Sequence, residues 1–97
     1  MELQKRPIRN PLVVLREEFD DWAVLFNPDS ANAIGINPVG VSVWKAIDGQ
    51  RDILKIVSEI KKEFSEVPQT AAGDISAFIG ELHRNGFVGY DLESMDR

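Results

Sequence analysis

The residues that could carry out chemistry in this chain are few, and they do not form a catalytic pattern. His83 is the only histidine, cysteine is absent, and no serine stands beside His83 to act as a nucleophile. A single histidine on the surface of a helix is usually a solvated side chain rather than a general base. The sequence therefore predicts that the chain is not an enzyme and that it has no catalytic residues.

Two acidic pairs, Glu17-Glu18 and Asp20-Asp21, are the remaining candidates for acid–base chemistry or for metal binding. A hard cation needs several converging oxygen ligands, and acidic residues are common in turns that bind no metal. The glycines match no phosphate-binding or dinucleotide-binding motif, because no G-x-G-x-x-G or G-K-[ST] run follows a predicted strand. We predict no metal site, no nucleotide and no other cofactor.

Length and composition indicate a small domain that is stabilised by its own core. The 97 residues predict a single domain over 1–97, with 1–10 and 91–97 as flexible ends. The lack of cysteine excludes disulfides and Cys-ligated clusters. No apolar run approaches the roughly 20 residues that span a bilayer, and residues 1–10 lack the apolar stretch of a signal peptide. We expect a cytoplasmic protein with no membrane partner.

The net charge of −5 is unevenly distributed along the chain. Residues 1–16 contain Lys5, Arg6, Arg9 and Arg16 against Glu2 alone, so the rest of the chain is more acidic than the total indicates. Affinity for nucleic acids depends on lysines and arginines that displace counterions from phosphates. An acidic body should repel a phosphate backbone, and we therefore predict no nucleic-acid partner.

The N-terminal half has the pattern of β-strands. Leu12–Phe19 and Trp22–Asn27 are rich in β-forming residues, and Asp20-Asp21 between them is typical of a tight turn. Pro28–Asn32 is rich in turn residues, and a short third strand follows up to Ile36. The simplest arrangement is a three-stranded antiparallel meander. Because the third strand is bounded by a loop and a helix, one of its sides is expected to be a free edge.

The C-terminal half has the pattern of three helices. The first begins at Asn37-Pro38, where Asn37 can cap free amides and proline suits the first position, and ends at Asp48-Gly49. The second follows the candidate N-cap Asp52, and the third extends from Thr70 to Asn85. The apolar stripes predicted to be buried are Val39, Val43, Trp44 and Ile47; Ile53, Ile56, Val57, Ile60 and Phe64; and Ile75, Phe78, Ile79 and Leu82. The predicted fold class is α+β, with a three-stranded antiparallel sheet followed by a winged-helix-like three-helix bundle.

Such a fold raises a DNA-binding transcriptional regulator as an alternative function. A recognition helix needs side chains for base edges and cations for phosphates. The third helix, TAAGDISAFIGELHR, offers acids, alanines and glycines, with Arg84 as its one firm cation. The composition of this helix therefore disfavours DNA recognition. Its glycines, Gly73 and Gly80, are expected if something lies close against this helix, and an equal alternative is that Gly80 only lets the second helix approach.

Two separated motifs carry a resemblance to a known family. INPVGVSVWKAIDGQRDILKIV (Ile36–Val57) matches N-x-x-G-x-x-[IV]-W-x-x-[LI]-D-G at Asn37, Gly40, Val43, Trp44, Ile47, Asp48 and Gly49. DISAFIGELHRNGFV (Asp74–Val88) is similar to D-[VI]-x-x-F-[LI]-x-x-L-x-x-x-G-[LF]-[IV]. Together they resemble the PqqD-like proteins, small peptide chaperones also called RiPP recognition elements. A narrower resemblance is to the PqqD-type proteins of SynChlorMet radical-SAM cassettes. One departure is Asp52, where the family more often has threonine, and both residues cap helices.

The resemblance implies both a function and a site. Such proteins bind the leader of a ribosomally made precursor peptide and present it to a modifying enzyme, typically a radical-SAM maturase. The leader adds as a strand to the third strand and lies in a groove against the third helix. The peptide-binding residues so implied are Asn32, Ala33, Ile34, Gly35 and Ile36 on the strand, with Ile75, Phe78, Ile79 and Leu82 as groove wall or core support. Trp44, on the apolar stripe of its helix, is expected to be a core residue.

Two alternatives to a leader-peptide chaperone stay open at this point. One is the winged-helix DNA-binding regulator, and the other is an accessory or oligomerising module without a peptide ligand. An exposed strand edge also allows two copies of the chain to pair as a homodimer when no ligand is bound.

Overall fold

Five short strands and three helices make up residues 5–64 and 69–90, the part of the chain that the computed structural model describes. In chain order they are β1 (Pro7–Arg9), β2 (Val14–Glu17), β3 (Ala23–Asn27), β4 (Asn32–Ile36), α1 (Pro38–Ala46), α2 (Ile53–Glu63), α3 (Ala71–Arg84) and β5 (Val88–Tyr90). The predicted α+β class, with its three-stranded antiparallel sheet and three helices, is confirmed. The predicted flexible end 91–97 lies outside the described residues.

The predicted meander is formed by β2, β3 and β4, with β3 in the centre. Asp20 and Asp21 both have positive φ, 58° and 65°, and the Trp22 N–H donates to the Phe19 carbonyl at 3.1 Å. This is the tight turn whose twist matches that of the paired strands. β2 is shorter than the predicted Leu12–Phe19 run, because Leu12 lies in the preceding turn.

A second, two-stranded sheet joins β1 to β5 and was not predicted from the sequence. Pro7 lies opposite Tyr90 and Arg9 lies opposite Val88 in an antiparallel pair. The Pro7 side chain is fully buried. Residues 7–9 therefore belong to the body of the fold and not to the flexible end expected at 1–10. Strands of three residues are too short to show a hydrophobic period, and this pair joins opposite ends of the described chain.

Helix ends follow the predicted capping chemistry. The Asn37 side chain accepts the Gly40 N–H at 2.8 Å at the start of α1, and the Asp52 side chain accepts the Lys55 N–H at 2.8 Å at the start of α2. Gly86, after α3, has a φ of 81°, a conformation that glycine adopts without strain. Local sequence therefore determines the starts of α1 and α2 and the end of α3.

α1 ends at Ala46, earlier than the predicted Asp48-Gly49, and Ile47 is its C-cap. Asp48 instead accepts the N–H groups of Gln50 and Arg51 and forms an ion pair with the Arg51 guanidinium at 2.7 Å. Partial burial opposes ionisation of Asp48, but these hydrogen bonds and the Arg51 charge hold the pKa of its carboxyl below the usual range.

The core lies between the inner face of the meander and the three helices. Its members are Ala23, Leu25, Ile36, Val41, Val43, Trp44, Ile47, Ile53, Ile56, Val57, Ile60, Ala71, Ile75, Ile79, Leu82, Phe87 and Val88. The prediction that Trp44 is a core residue is confirmed, since its exposed fraction is 3%. Val39, predicted to be buried, is 36% exposed because it lies at the side of α1 rather than beneath it. In the described residues no helix is long and apolar enough to cross a membrane.

Candidate functional site

A groove of about 370 Å³ lies between β4 and the first half of α3. Its lining is formed by Ile34, Gly35, Ile36, Asn37, Val39, Gly40, Val43, Asp74, Ile75 and Phe78. Most of these residues are apolar, and Asp74 is the one charged residue among them. β4 ends the order β2-β3-β4, so within the described part of the chain it pairs with β3 alone. The groove therefore borders an unpaired strand edge.

The direction of each peptide group in β3 follows from the hairpin that precedes it. The Glu18 N–H donates to the Trp22 carbonyl at 2.7 Å, so the backbone of Trp22 faces β2. Successive peptide groups of a strand point to opposite sides, and the register of β3 with β2 is continuous. The backbone groups of Ala23 and Leu25 therefore face β4.

The free edge of β4 is formed by the peptide groups of Ala33 and Gly35. Ile36 pairs with Ala23 and Ile34 pairs with Leu25, so the N–H and C=O groups of these two β4 residues face β3. By alternation, the N–H and C=O groups of Ala33 and Gly35 point away from β3. Both residues are exposed, and a Cβ added at Gly35 would meet nothing within 4 Å. The edge is thus open to another strand.

The four helix residues predicted for the site divide into two pairs. Ile75 and Phe78 line the groove, whereas Ile79 and Leu82 do not and have exposed fractions of 0%. Phe78 is half-buried at the side of α3 that faces β4. Ile79 and Leu82 therefore support the wall from inside the core.

The strand residues predicted for the site also differ in position. Ile34, Gly35 and Ile36 line the groove, but Asn32 and Ala33 do not. The Asn32 side chain instead donates to the Asn85 carbonyl, after α3, at 3.4 Å. Ala33 contributes its backbone to the free edge. Asn32 therefore lies at the end of the groove region as a contact between β4 and α3.

The floor of the groove is built at the junction of β4 with α1. A Cβ added at Gly40 would stand 3.1 Å from the Ile36 Cβ and 3.5 Å from the Phe78 Cζ. The Asn37 cap fixes the same turn of α1 by accepting the Gly40 N–H. The direct strand-to-helix junction thus positions the edge strand relative to α1 and α3.

A buried asparagine, Asn27, holds the C-terminal end of α3, and its role was not predicted from the sequence. Asn27 is 3% exposed; its Nδ2 donates to the Gly86 carbonyl at 3.1 Å and its Oδ1 accepts the Asp29 N–H at 3.0 Å. The Asn10 side chain donates to the same Gly86 carbonyl at 3.0 Å. In the sequence, Asn27 is indistinguishable from other asparagines that promote turns. Its contacts hold the C-terminal end of α3 against the β3–β4 turn.

The other candidate residues lie outside the groove. The exposed His83 has its Nδ1 3.2 Å from the Val88 carbonyl, and Glu17 pairs with Lys45 at 3.4 Å. Among the residues that the structure describes, no three metal-ligating side chains converge. Arg84, the cation that DNA recognition by α3 would need, is paired with Glu81. The arrangement at the groove can hold an extended chain by backbone pairing and apolar contact.

Residues 23–88 match the family model described as coenzyme PQQ synthesis protein D (PqqD). The fold is similar to that of TbiB1 in complex with the TbiA(beta) leader peptide, at 25% identity and a TM-score of 0.70, covering 87% of this chain and 98% of that chain. It is also similar to that of lasso peptide synthetase B1 complexed with the leader peptide, at 20% identity and a TM-score of 0.69, with the same coverage. No curated protein matches significantly. Because the family model spans most of the described residues, the chain belongs to the PqqD family.

Proposed function

We propose that this protein binds the leader segment of a ribosomally made precursor peptide as an added strand on β4. The observation that carries the proposal is the unpaired edge of β4, where the peptide groups of Ala33 and Gly35 point outward beside an apolar groove. The similarity to TbiB1, whose structure is that of a complex with a leader peptide, supports it. Acidic and small residues on α3, and the pairing of Arg84 with Glu81, argue against the DNA-binding alternative.

Backbone pairing and the apolar groove are both expected to contribute substantially to the free energy of peptide binding. A hydrogen bond contributes a net of about 0.5–1.5 kcal/mol, because the free groups are already bonded to water. Full burial of one leucine-sized side chain contributes roughly 1.5–3 kcal/mol. The four outward-facing groups of Ala33 and Gly35 therefore contribute roughly 2–6 kcal/mol, which overlaps with the contribution of one anchored side chain. Pairing fixes the peptide in register, and the groove selects its side chains.

The proposal gives each site residue a role. Ala33 and Gly35 pair with the peptide backbone, and Ile75 and Phe78 contact a peptide side chain in the groove. The remaining predicted residues support these contacts. Ile34 and Ile36 form the β4 side of the groove, and Asn32 holds the start of β4. Ile79 and Leu82 support α3 from the core.

We further propose that the bound precursor is presented to a radical-SAM peptide-modifying enzyme and that this protein is not itself an enzyme. Membership of the PqqD family supports a role beside a modifying enzyme. The groove offers apolar side chains and backbone groups, which bind and orient a peptide. The proposal implies a cytoplasmic protein, because that is where a ribosomally made precursor meets its modifying enzymes. Without peptide, the β4 edge is available to a second copy, so peptide and homodimer should compete.

Amide hydrogen exchange with a selected peptide tests the proposal. A random linear-peptide library displayed on its encoding mRNA would supply a ligand, called here the selected peptide. Exchange at the outward-facing amides of Ala33 and Gly35 should be fast in the free protein and slow in the complex. The Ile34 amide, which faces β3, is the internal control and should be protected in both. Tight binding without new protection at Ala33 and Gly35 would contradict strand addition at this edge.

A further inference from the structure

The groove contains one carboxylate that no described cation neutralises. Asp74 lies in the first turn of α3 and lines the groove beside Ile75 and Phe78. Its Oδ2 accepts the Thr70 hydroxyl at 2.9 Å, and no lysine or arginine of the described residues lies in ion-pair range. Every other groove-lining residue is uncharged. A ligand in the groove therefore meets a single negative charge, on the exposed side chain of Asp74.

We propose that Asp74 makes this groove selective for leader peptides with a lysine or arginine close to the apolar residue that occupies it. The inference rests on the proposed function, because it assumes a peptide strand along β4. Its basis is charge complementarity: a cation placed at Asp74 gains an ion pair without breaking an existing one, whereas an acidic residue there is repelled.

The spacing of the two peptide residues follows from the geometry of α3. Asp74 and Phe78 are four residues apart, which is about 6 Å along a helix with a rise of 1.5 Å per residue. Alternate side chains of a strand point to the same face and are about 6.7 Å apart. For a peptide strand that runs along α3, an apolar side chain at Phe78 and a cation at Asp74 therefore fit positions i and i+2.

Asp74 also has a structural role, and its effect on stability must be separated from its effect on peptide specificity. Thr70, the N-cap of α3, makes no side-chain hydrogen bond to the helix backbone, so a negative charge in the first turn stabilises this helix end. Asn in place of Asp74 keeps an oxygen that can accept the Thr70 hydroxyl and removes only the charge. Asp74→Asn is therefore the informative substitution.

The experiment repeats the peptide selection on four proteins: wild type, Asp74→Asn, Asp74→Lys and the control Glu81→Gln. Glu81 is an exposed acid on the same helix that does not line the groove, so its loss changes the net charge equally. Wild type and Glu81→Gln should enrich peptides with Lys or Arg two positions from an apolar residue. Asp74→Asn should lose that enrichment and bind wild-type-selected peptides about twofold to fivefold more weakly, as expected for an exposed ion pair. Asp74→Lys should enrich Asp or Glu at that position.

Two results would overturn the inference, and they are distinguishable. Peptides that fail to bind Gly35→Pro, yet show the same charge preference on wild type and Asp74→Asn, would leave strand binding in place and remove the role of Asp74. Peptides that bind Gly35→Pro and wild type equally well would remove the proposed function together with the inference. Circular dichroism melts of each variant ensure that only folded proteins are compared.

Discussion

Gly40 of α1 and Phe78 of α3 lie so close that a methyl group added at Gly40 would stand 3.5 Å from the Phe78 Cζ. The same methyl would stand 3.1 Å from the Ile36 Cβ, a crowded contact. Both Gly40 and Phe78 line the groove. Because Gly40 has no side chain, the floor of the groove stays open beside Phe78.

Gly40→Ala should therefore impair peptide binding more than stability. Alanine is favoured over glycine inside a helix by about 1 kcal/mol, which offsets the crowding against Ile36. We expect a melting temperature close to that of wild type and a several-fold weaker affinity for the selected peptide by fluorescence anisotropy.

Gly73→Ala on α3 is the matched control for this substitution. A Cβ at Gly73 meets nothing within 4 Å and lies outside the groove, so the same chemical change should stabilise the protein and leave affinity unchanged. Equal affinities of Gly40→Ala and wild type would show that the floor of the groove does not contact the peptide.

Phe78→Ala and Ile79→Ala should separate the groove wall from the core. Ile79 is 0% exposed, so its truncation should cost roughly 2–5 kcal/mol of unfolding free energy. Phe78 is half-buried beside the groove, and its truncation should weaken peptide binding about tenfold or more at a smaller cost in stability. Urea denaturation and anisotropy titration measure the two effects. If Phe78→Ala binds like wild type, the Phe78 side chain does not contact the peptide.

Asn27→Ala should destabilise the fold by about 1–3 kcal/mol, because the Asp29 N–H loses its acceptor and a buried contact to α3 is removed. The Gly86 carbonyl keeps the Asn10 side chain as a donor, which limits the loss. Asn32→Ala removes an exposed, longer hydrogen bond to α3 and should cost less than about 0.5 kcal/mol. Similar denaturation midpoints for Asn27→Ala and wild type would contradict the assigned role.

Features set by local chemistry were predictable from the sequence. The caps at Asn37 and Asp52 and the positive φ at Gly86 depend on residues within a few positions of each other. The hairpin at Asp20-Asp21 is equally local. With the apolar patterns, these signals were sufficient to order the three strands of the meander and the three helices, and the meander order predicted its third strand, β4, as an edge.

Features that depend on distant partners were not predictable. The β1–β5 pair and the contact of Asn27 with Gly86 join segments far apart in the chain, and neither leaves a periodic pattern. Phe78 and Ile79 are both apolar, since a peptide groove and a core select the same residue type. Only the position of β4 beside α3 distinguishes the groove residue from the core residue.

A proline scan of β4 tests the central claim, strand addition at this edge, most directly. Proline removes one N–H donor and is tolerated on strand edges. Ala33→Pro and Gly35→Pro remove outward-facing donors, so both variants should keep nearly the wild-type melting temperature and lose peptide binding. Ile34→Pro removes a donor that faces β3, so this control should destabilise the fold.

The decisive measurement is the affinity of folded Gly35→Pro for the selected peptide, determined by anisotropy titration beside a circular dichroism melt. Our account predicts a folded protein whose affinity falls at least about tenfold, because the lost hydrogen bond and the clash of the proline ring with an added strand act together. An affinity within about twofold of wild type, in a variant that melts like wild type, would contradict strand addition on β4.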